Sequence, residues 1–516
     1  MNSQHFDVLI IGAGLSGIGV ACHATESFPN RSIAVFERRN HVGGTWDLFR
    51  YPGVRSDSDM YTFGYSFRPW RDVRVLADGA SIRQYLEDTA AQFGVDEKVH
   101  YGLRVVKADW STVSSRWTVT TVHEETGETR THSCNYLVNC TGYYNYDAGY
   151  LPTFPGSGRF QGQCVHPQFW PEGLDYAGKR VVVIGSGATA ITLLPAMAGD
   201  AEHVTMLQRS PSYVISLPAV DKISEALGRF LPDAWVYAFG RRRNIALQRG
   251  VYRACRRWPR MMRRILLWDV RRRVGPSVSM SNFTPSYLPW DERLCMVPDG
   301  DLFKVLASGE ASVVTDQIDT FTESGILLSS GRELAADIVV TATGLNMQML
   351  GGMALSVDGE DRALHDQMLY KGVLVENIPN LAVILGYTNA SWTLKSDIAS
   401  AYLCRLLKHM DACGHAVATP VDDSGCELTA GIMDQMQSGY VKRGEDVLPR
   451  QGAEHPWRVL MKYEYDAKML LEDPVEDDAL LLRGPVADPG ATLRDDVQPP
   501  AAHLSNRLTN ERLNFK

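Results

Sequence analysis

Two glycine-rich loops, 173 residues apart, constrain this chain more tightly than any other feature in it. The first, Gly12-Ala13-Gly14-Leu15-Ser16-Gly17, follows the apolar run Phe6–Ile11 and opens an apolar stretch reaching about Ser27. The second, Gly185-Ser186-Gly187-Ala188-Thr189-Ala190, follows Val181–Ile184 in the same manner. A glycine turn between a buried strand and a helix lets backbone N–H groups approach a pyrophosphate at the helix N-terminus. One such turn says little. Its repetition, each time between a strand and a helix, predicts an α/β chain with two Rossmann-like dinucleotide-binding domains.

What separates the two loops is the residue that ends the next strand. Glu37 follows Ile33–Phe36 and lies 23 residues past Gly14. Arg209 follows Gln208 at the end of His203–Leu207 and lies 22 residues past Gly187. A carboxylate there accepts hydrogen bonds from ribose hydroxyls and repels a 2′-phosphate, whereas a guanidinium holds that phosphate. The pair assigns FAD to the first loop and NADPH to the second. Cofactor contacts are therefore expected from Gly12, Gly14, Ser16, Gly17 and Glu37 for FAD. For NADPH they are expected from Ile184, Gly185, Ser186, Gly187, Ala188, Thr189, Ala190, Gln208 and Arg209.

Gly43-Gly44-Thr45-Trp46 and Tyr51-Pro52-Gly53-Val54-Arg55-Ser56-Asp57 read either as loops beside the flavin or as surface turns. The first reading adds Thr45, Trp46, Asp47, Leu48, Arg55, Ser56 and Asp57 to the FAD site. Val105, in the strand-like run Leu103–Lys107, is expected against the adenine. Two further strands, Tyr136–Cys140 before Thr141-Gly142 and Asp337–Val340 before Thr341-Ala342-Thr343-Gly344, mark where the chain leaves and re-enters the first domain. Gly386–Trp392 reads as a helix start able to face the flavin pyrimidine ring. The resulting division is FAD domain 1–145 and 342–472, NADP domain 146–211 and 291–341, a helical insertion 212–290, and an Asp/Pro-rich tail 473–516.

The insertion is dense in arginine, with thirteen between Arg241 and Arg273, interleaved with Trp258, Met261, Ile265 and Trp268 and broken at Pro259. It reads either as a solvated helical subdomain or as a basic amphipathic surface for peripheral contact with an anionic membrane. A net charge of −8 argues against nucleic acid as a partner. The nine cysteines include no C-x-x-C pair, which disfavours a zinc site or a redox dithiol. Their odd number suits a reducing, cytoplasmic setting. The run Val8–Ile11 is cut by glycines too early for a secretory leader. Val181–Gly199 is apolar enough to mimic a membrane span, but Gly185, Gly187 and Pro195 make strand–turn–helix the better reading.

The connection between the two modules carries Phe160, Gly162, His166, Trp170 and Pro171, spaced F-x-G-x-x-x-H-x-x-x-W-P. Together with Gly43–Leu48, Arg50–Met60, Gln208–Pro211, Pro289–Phe303 and Gly386–Leu394, this pattern resembles the type I Baeyer–Villiger monooxygenases, most closely their mycobacterial ethionamide-activating group. The resemblance spans residues 5–470, and Trp170-Pro171 separates it from the related N- and S-oxygenating flavin monooxygenases, which remain the alternative. It implies that NADPH reduces FAD, that O2 forms a peroxyflavin, and that a ketone becomes an ester or lactone, with thioethers and thiocarbonyls as further substrates. It implies Arg293 as the catalytic arginine and Asp57 as the carboxylate beside it. A fixed guanidinium suits that role, because it stabilises oxygen anions without protonating them. Many relatives of this kind place a lysine before that arginine; here the residue is Glu292, which shifts 2′-phosphate recognition onto Arg209 and Thr189. His166 is expected at the hinge between the modules, coupling cofactor binding to domain orientation. A flavin disulfide reductase is disfavoured by the missing dithiol.

Overall fold

The computed structural model describes residues 4–292, 294–434 and 439–485. The opening apolar run forms β1 (His5–Ile11), followed by α1 (Leu15–Ser27) and β2 (Ile33–Phe36). β1 runs parallel to β2 on one side and to β3 (Thr129–Asn139) on the other. Strands covered on both faces need unbroken apolar sequence, and Val8, Leu9, Ile10 and Ile11 are all buried. An antiparallel meander, Leu103–Ser111, Arg116–His123 and β3, extends the sheet. Much later in sequence, Ala354–Val357 pairs with Leu103–Ser111 and Leu381–Val383 pairs with β3, both in parallel. One eleven-stranded sheet is thus built from two separated pieces of chain.

The second sheet has five strands, all parallel. At its centre β4 (Arg180–Ile184) leads into α2 (Ala188–Met197) and then β5 (His203–Gln208). Ile338–Thr341 lies on the other side of β4. The run Val181–Gly199 is therefore strand, turn and helix, as its glycines require. Pro195 does not end α2, which continues to Met197. So close to the C-terminus the missing N–H removes a single bond.

The two crossings between the sheets are stitched to each other. Tyr144–Gly149 pairs antiparallel with Leu345–Met347, and the Asn346 amide donates to the carbonyls of Ala148 and Gly149.

The insertion opens with a strand rather than a helix. Val214–Leu217 pairs in parallel with Cys295–Pro298 and belongs to the second module. Beyond a short helix, Lys222–Gly228, come α3 (Asp233–Arg257) and α4 (Pro259–Val274). Pro259 sits at the first position of α4, where its missing N–H costs nothing. The inner face of α3 buries Val236, Tyr237, Gly240 and Asn244 against the single-turn helix Met60–Phe63.

The tail departs from expectation. Leu480–Arg483 pairs antiparallel with Val417–Pro420, and Asp477 makes an ion pair with Lys371 at 3.0 Å. Residues 473–485 are thus tied into the first domain by a strand and a buried lysine, features that Asp/Pro-rich composition conceals. The remainder of the expected tail, 486–516, lies outside the described residues. Over the first module packs α5 (Trp392–Cys413), which contacts α1.

Gly12 and Gly17 show why the first loop is written in glycine. Gly12 has φ +98°, and a Cβ on Gly17 would stand 1.8 Å from the Gly12 carbonyl oxygen. Gly17→Ala should therefore lower unfolding stability by at least about 2 kcal/mol, as overpacking does. An unchanged urea midpoint would show that this close helix–strand approach is dispensable.

Candidate functional site

A cavity of about 330 Å³ runs from the first glycine loop to the start of α2. At its first end stand Gly12, Gly14 and Ser16, with Gly14 as the N-cap of α1. That helix start has no side-chain cap and no acidic residue in its first turn. Its free N–H groups and the positive end of the helix dipole face the cavity. Gly44 is the reason for the second glycine pair, because a Cβ there would stand 2.9 Å from the Gly14 Cα. Gly17 is the exception in this loop: it packs against Gly12 and forms no part of the wall.

Glu37 lines the cavity just past β2 and is only 4% exposed. Its carboxylate accepts from the Ala13 N–H at 2.7 Å and the Arg39 N–H at 2.9 Å. Burial raises its pKa, against the pull of those two bonds. Val105 lines the same end. Thr45 and Trp46 reach the cavity, but their neighbours Asp47 and Leu48 do not. Asp47, 1% exposed, turns toward Arg39 at 2.6 Å and Arg50 at 3.1 Å. Burial alone would raise its pKa; the Arg39 bond and charge, then Arg50, bring it below the usual carboxylate value. Through these two arginines Asp47 anchors the loop. Leu48 is buried in the protein interior.

Farther along the wall stand Arg55 and Asp57. Arg55 pairs with Asp301 at 2.6 Å, while its buried Nε has no partner among the described residues. An orphaned donor of this kind suits a ligand acceptor. Ser56 is turned away, its hydroxyl donating to the Ser58 carbonyl. The loop lies directly on the second module: Gly53 has φ +77°, and a Cβ there would meet the Thr192 carbonyl oxygen at 2.5 Å.

From the second module, Ala188 and Thr189 enter the same cavity. Gly187 caps α2 without a side chain, and a Cβ on it would meet nothing within 4 Å. Gly185 plays the tight-turn role, with φ +139° and its Cβ position 2.3 Å from the Ala342 carbonyl oxygen. Ile184 and Ala190 are core residues, and the Ser186 hydroxyl accepts from Ser212. Gln208 is buried and already committed, donating to the Asn282 carbonyl at 2.7 Å and Thr315 Oγ1 at 2.8 Å. Arg209 is exposed at the end of β5. Burial raises the pKa of Glu292, and the positive charges of Lys442 and then Arg209 oppose the shift. Arg293 lies outside the described residues.

The F-x-G-x-x-x-H-x-x-x-W-P stretch lies in the second module, where Gln163–Val165 forms an edge strand of its sheet, away from the cavity wall. Phe160 packs edge-on against Phe321. A Cβ on Gly162 would stand 2.4 Å from the Asp337 carbonyl oxygen. Trp170 packs on the second module's core, with Pro171 next to it in the chain. His166 Nδ1 accepts from the Gln168 N–H at 3.2 Å, so Nε2 carries the proton and donates to the Gly344 carbonyl at 3.2 Å.

Comparison with known proteins gives this arrangement a context. A model of the family described as flavin-binding monooxygenase-like matches residues 6–225. The chain is 74% identical to a putative FAD-containing monooxygenase, MymA, of Mycobacterium tuberculosis, over 93% of this chain and 97% of that protein. The chain belongs to the flavin-binding monooxygenase-like family. It is an FAD-containing oxidoreductase of the monooxygenase type. Identity to the FAD-containing monooxygenase EthA of the same species is 47%, over 93% and 98% of the two chains. The fold matches an oxidised steroid monooxygenase bound to NADP, with TM-score 0.75 and 23% identity over 93% of this chain and all of that one.

A flavin monooxygenase needs room for two dinucleotides, and the residues fit them. Each module offers an uncapped helix start behind a glycine turn, and Arg55 Nε remains without a partner. Ser16 adds a hydroxyl, already accepting from Trp392 Nε1 at 2.7 Å and so left with its proton to donate. Several cavity residues escaped the sequence reading: Tyr146, Gln348, Leu350 and Gly351. Leu350 and Gly351 both have positive φ. The aromatic run Tyr143-Tyr144-Asn145-Tyr146 after Thr141-Gly142 was the one available signal. A further trio with metal-ligand spacing, His409, Cys413 and Glu476, sits at the opposite end of α5 from the cavity.

Burial holds the His166 pKa below the ordinary histidine value, despite the Gly344 bond. The unfolded chain takes up a proton below about pH 6.5 that the folded ring resists, so this stability is present above that pH and lost below it. Thermal melts at about pH 7.5 and about pH 5.5 should show a larger acid loss in wild type than in His166→Gln. Equal losses would remove His166 from the pH dependence.

Proposed function

We propose that the chain is a Baeyer–Villiger monooxygenase. One ketone, O2, NADPH and a proton yield one ester or lactone, water and NADP⁺; thioethers and thiocarbonyls are oxidised by the same machinery. The observation that supports this reading is the single cavity whose wall carries both the FAD loop and the start of α2, with Arg55 and Asp57 between them. When bound, FAD supplies the electron transfer and the activation of O2.

The chain's own residues bind, orient and stabilise. Glu37 accepts from the adenosine ribose hydroxyls of FAD and excludes a 2′-phosphate by charge. Ser16 and the N-terminus of α1 meet the pyrophosphate. Arg209 takes the 2′-phosphate of NADPH, with Gly187, Ala188 and Thr189 beneath the pyrophosphate. Phe49, Phe63 and Tyr143 line the cavity and keep water from the reacting oxygen. By family resemblance, Arg293 would stabilise negative charge developing on the substrate's carbonyl oxygen and Asp57 would orient that guanidinium. The Trp170-Pro171 ending supports ester formation over N- and S-oxygenation alone.

Product analysis under ¹⁸O2 tests the reading: a ketone should return an ester carrying one labelled oxygen. Sulfoxides and N-oxides from every substrate, with never an ester, would instead assign the N/S-oxygenating alternative. Arg293→Ala should still reduce FAD with NADPH but lose ester formation by about 10²-fold; survival at the wild-type rate would end its assignment. Arg209→Ala should raise KM for NADPH about tenfold more than for NADH. An equal rise would place the 2′-phosphate elsewhere.

A further inference from the structure

The helices α3 and α4 have two unlike faces. Inward, Arg241 donates to the carbonyls of Tyr61 and Gly64, Asn244 donates to Asp59, and Arg263 donates to Tyr213 and the Tyr287 carbonyl. Outward, α3 presents Trp235, Phe239, Arg242, Ala246, Arg249 and Arg253, spaced alternately four and three residues apart, with Arg249 at the edge paired to Glu464 of the first module. α4, preceded by the turn residue Trp258, presents Met261, Ile265, Trp268 and Arg272 with the same rhythm. That spacing puts each set on one side of its helix, and in α4 it is the side opposite the buried Leu266, Val270 and Val274.

The apolar members are well exposed: Trp235 at 71%, Trp258 at 55%, Trp268 at 62%, and Phe230 at 86% just before α3. A soluble helical subdomain has no use for two such stripes. Between Asp233 and Val274 thirteen arginines face two aspartates, a local charge of +11 in a chain of net charge −8. Arg257, Arg260, Arg264 and Arg271 are exposed and make no ion pair among the described residues. No helix among the described residues is long and apolar enough to cross a membrane.

We propose that α3 and α4 form a docking surface for an anionic lipid bilayer, lying in the plane of the headgroups. Tryptophan and phenylalanine enter the boundary between headgroups and acyl chains, where amphipathic rings are most stable. The flanking guanidiniums pair with lipid phosphates. Charge also argues against a second copy as the occupant, since a twofold contact would set +11 against +11. This surface is independent of the reaction assigned above, because none of its outward residues lines the cavity.

The test uses the FAD-loaded full chain and sedimentation with vesicles of pure phosphatidylcholine or of phosphatidylcholine mixed with phosphatidylglycerol. Binding is expected to the mixed vesicles only and to weaken with added salt. Trp258→Ala/Trp268→Ala and, separately, Arg264→Glu/Arg271→Glu should each reduce it at least about tenfold. NADPH-dependent turnover of a water-soluble substrate should be unchanged in both, which reports intact folding. Absence of vesicle binding, or equal binding by wild type and both variants, overturns the proposal. So does a fall in native mass in the tryptophan variant measured by sedimentation velocity without lipid, which would make the face a contact between copies of the chain.

Discussion

The short ladder between Tyr144–Gly149 and Leu345–Met347 carries more of this molecule than its size suggests. Each glycine loop needs only its own strand and helix to form. A single cavity needs the two modules held at one angle, and the crossings and the loop Tyr51–Asp57 contribute to that, together with the contacts of residues 73–75 with 219–221 and of α3 with Met60–Phe63. Asn346 ties one crossing to the other. His166 reaches from the second module to the Gly344 carbonyl, and a Cβ on Gly149 would stand 2.1 Å from its ring. Gly53 lets the loop Tyr51–Asp57 lie on the backbone of α2. With these contacts Thr189 and Gly14 share one cavity wall.

This division explains what was legible in the sequence. Both glycine loops, Glu37 and the return of the chain to the first sheet are encoded within tens of residues. Local steric rules fix them, as with the positive φ of Gly12 and Gly185. Side-chain direction at a strand end is decided by tertiary partners instead. Gln208 and Arg209 are adjacent and look equally suited to a ligand, yet Asn282 and Thr315 claim the first and leave the second exposed. Asp47 looked like a cofactor contact and is held by arginines. Gln348 and Leu350 come to the cavity wall from more than 300 residues beyond Gly14, too far for any spacing to announce them.

Charge is distributed with the same economy. The acidic excess of the chain lies outside the helical hairpin, and the arginines are gathered within it. Where arginine is needed inside, it is paired: Arg55 with Asp301, Arg241 near Asp397, Arg243 with Asp221. Left over on the outside are guanidiniums with only solvent to answer them.

Both faces of α3 are written on one helix, and this has a consequence for how the protein can change. The inner face, through Asn244 and Gln248, grips Asp59, two residues from Asp57. Each residue of a helix advances the face by about 100°. A single insertion or deletion inside α3 would therefore rotate its outer stripe away from its present plane or its inner grip away from Asp59. Substitutions can tune either face alone, but changes of length cannot, so the length of α3 is shared property of both.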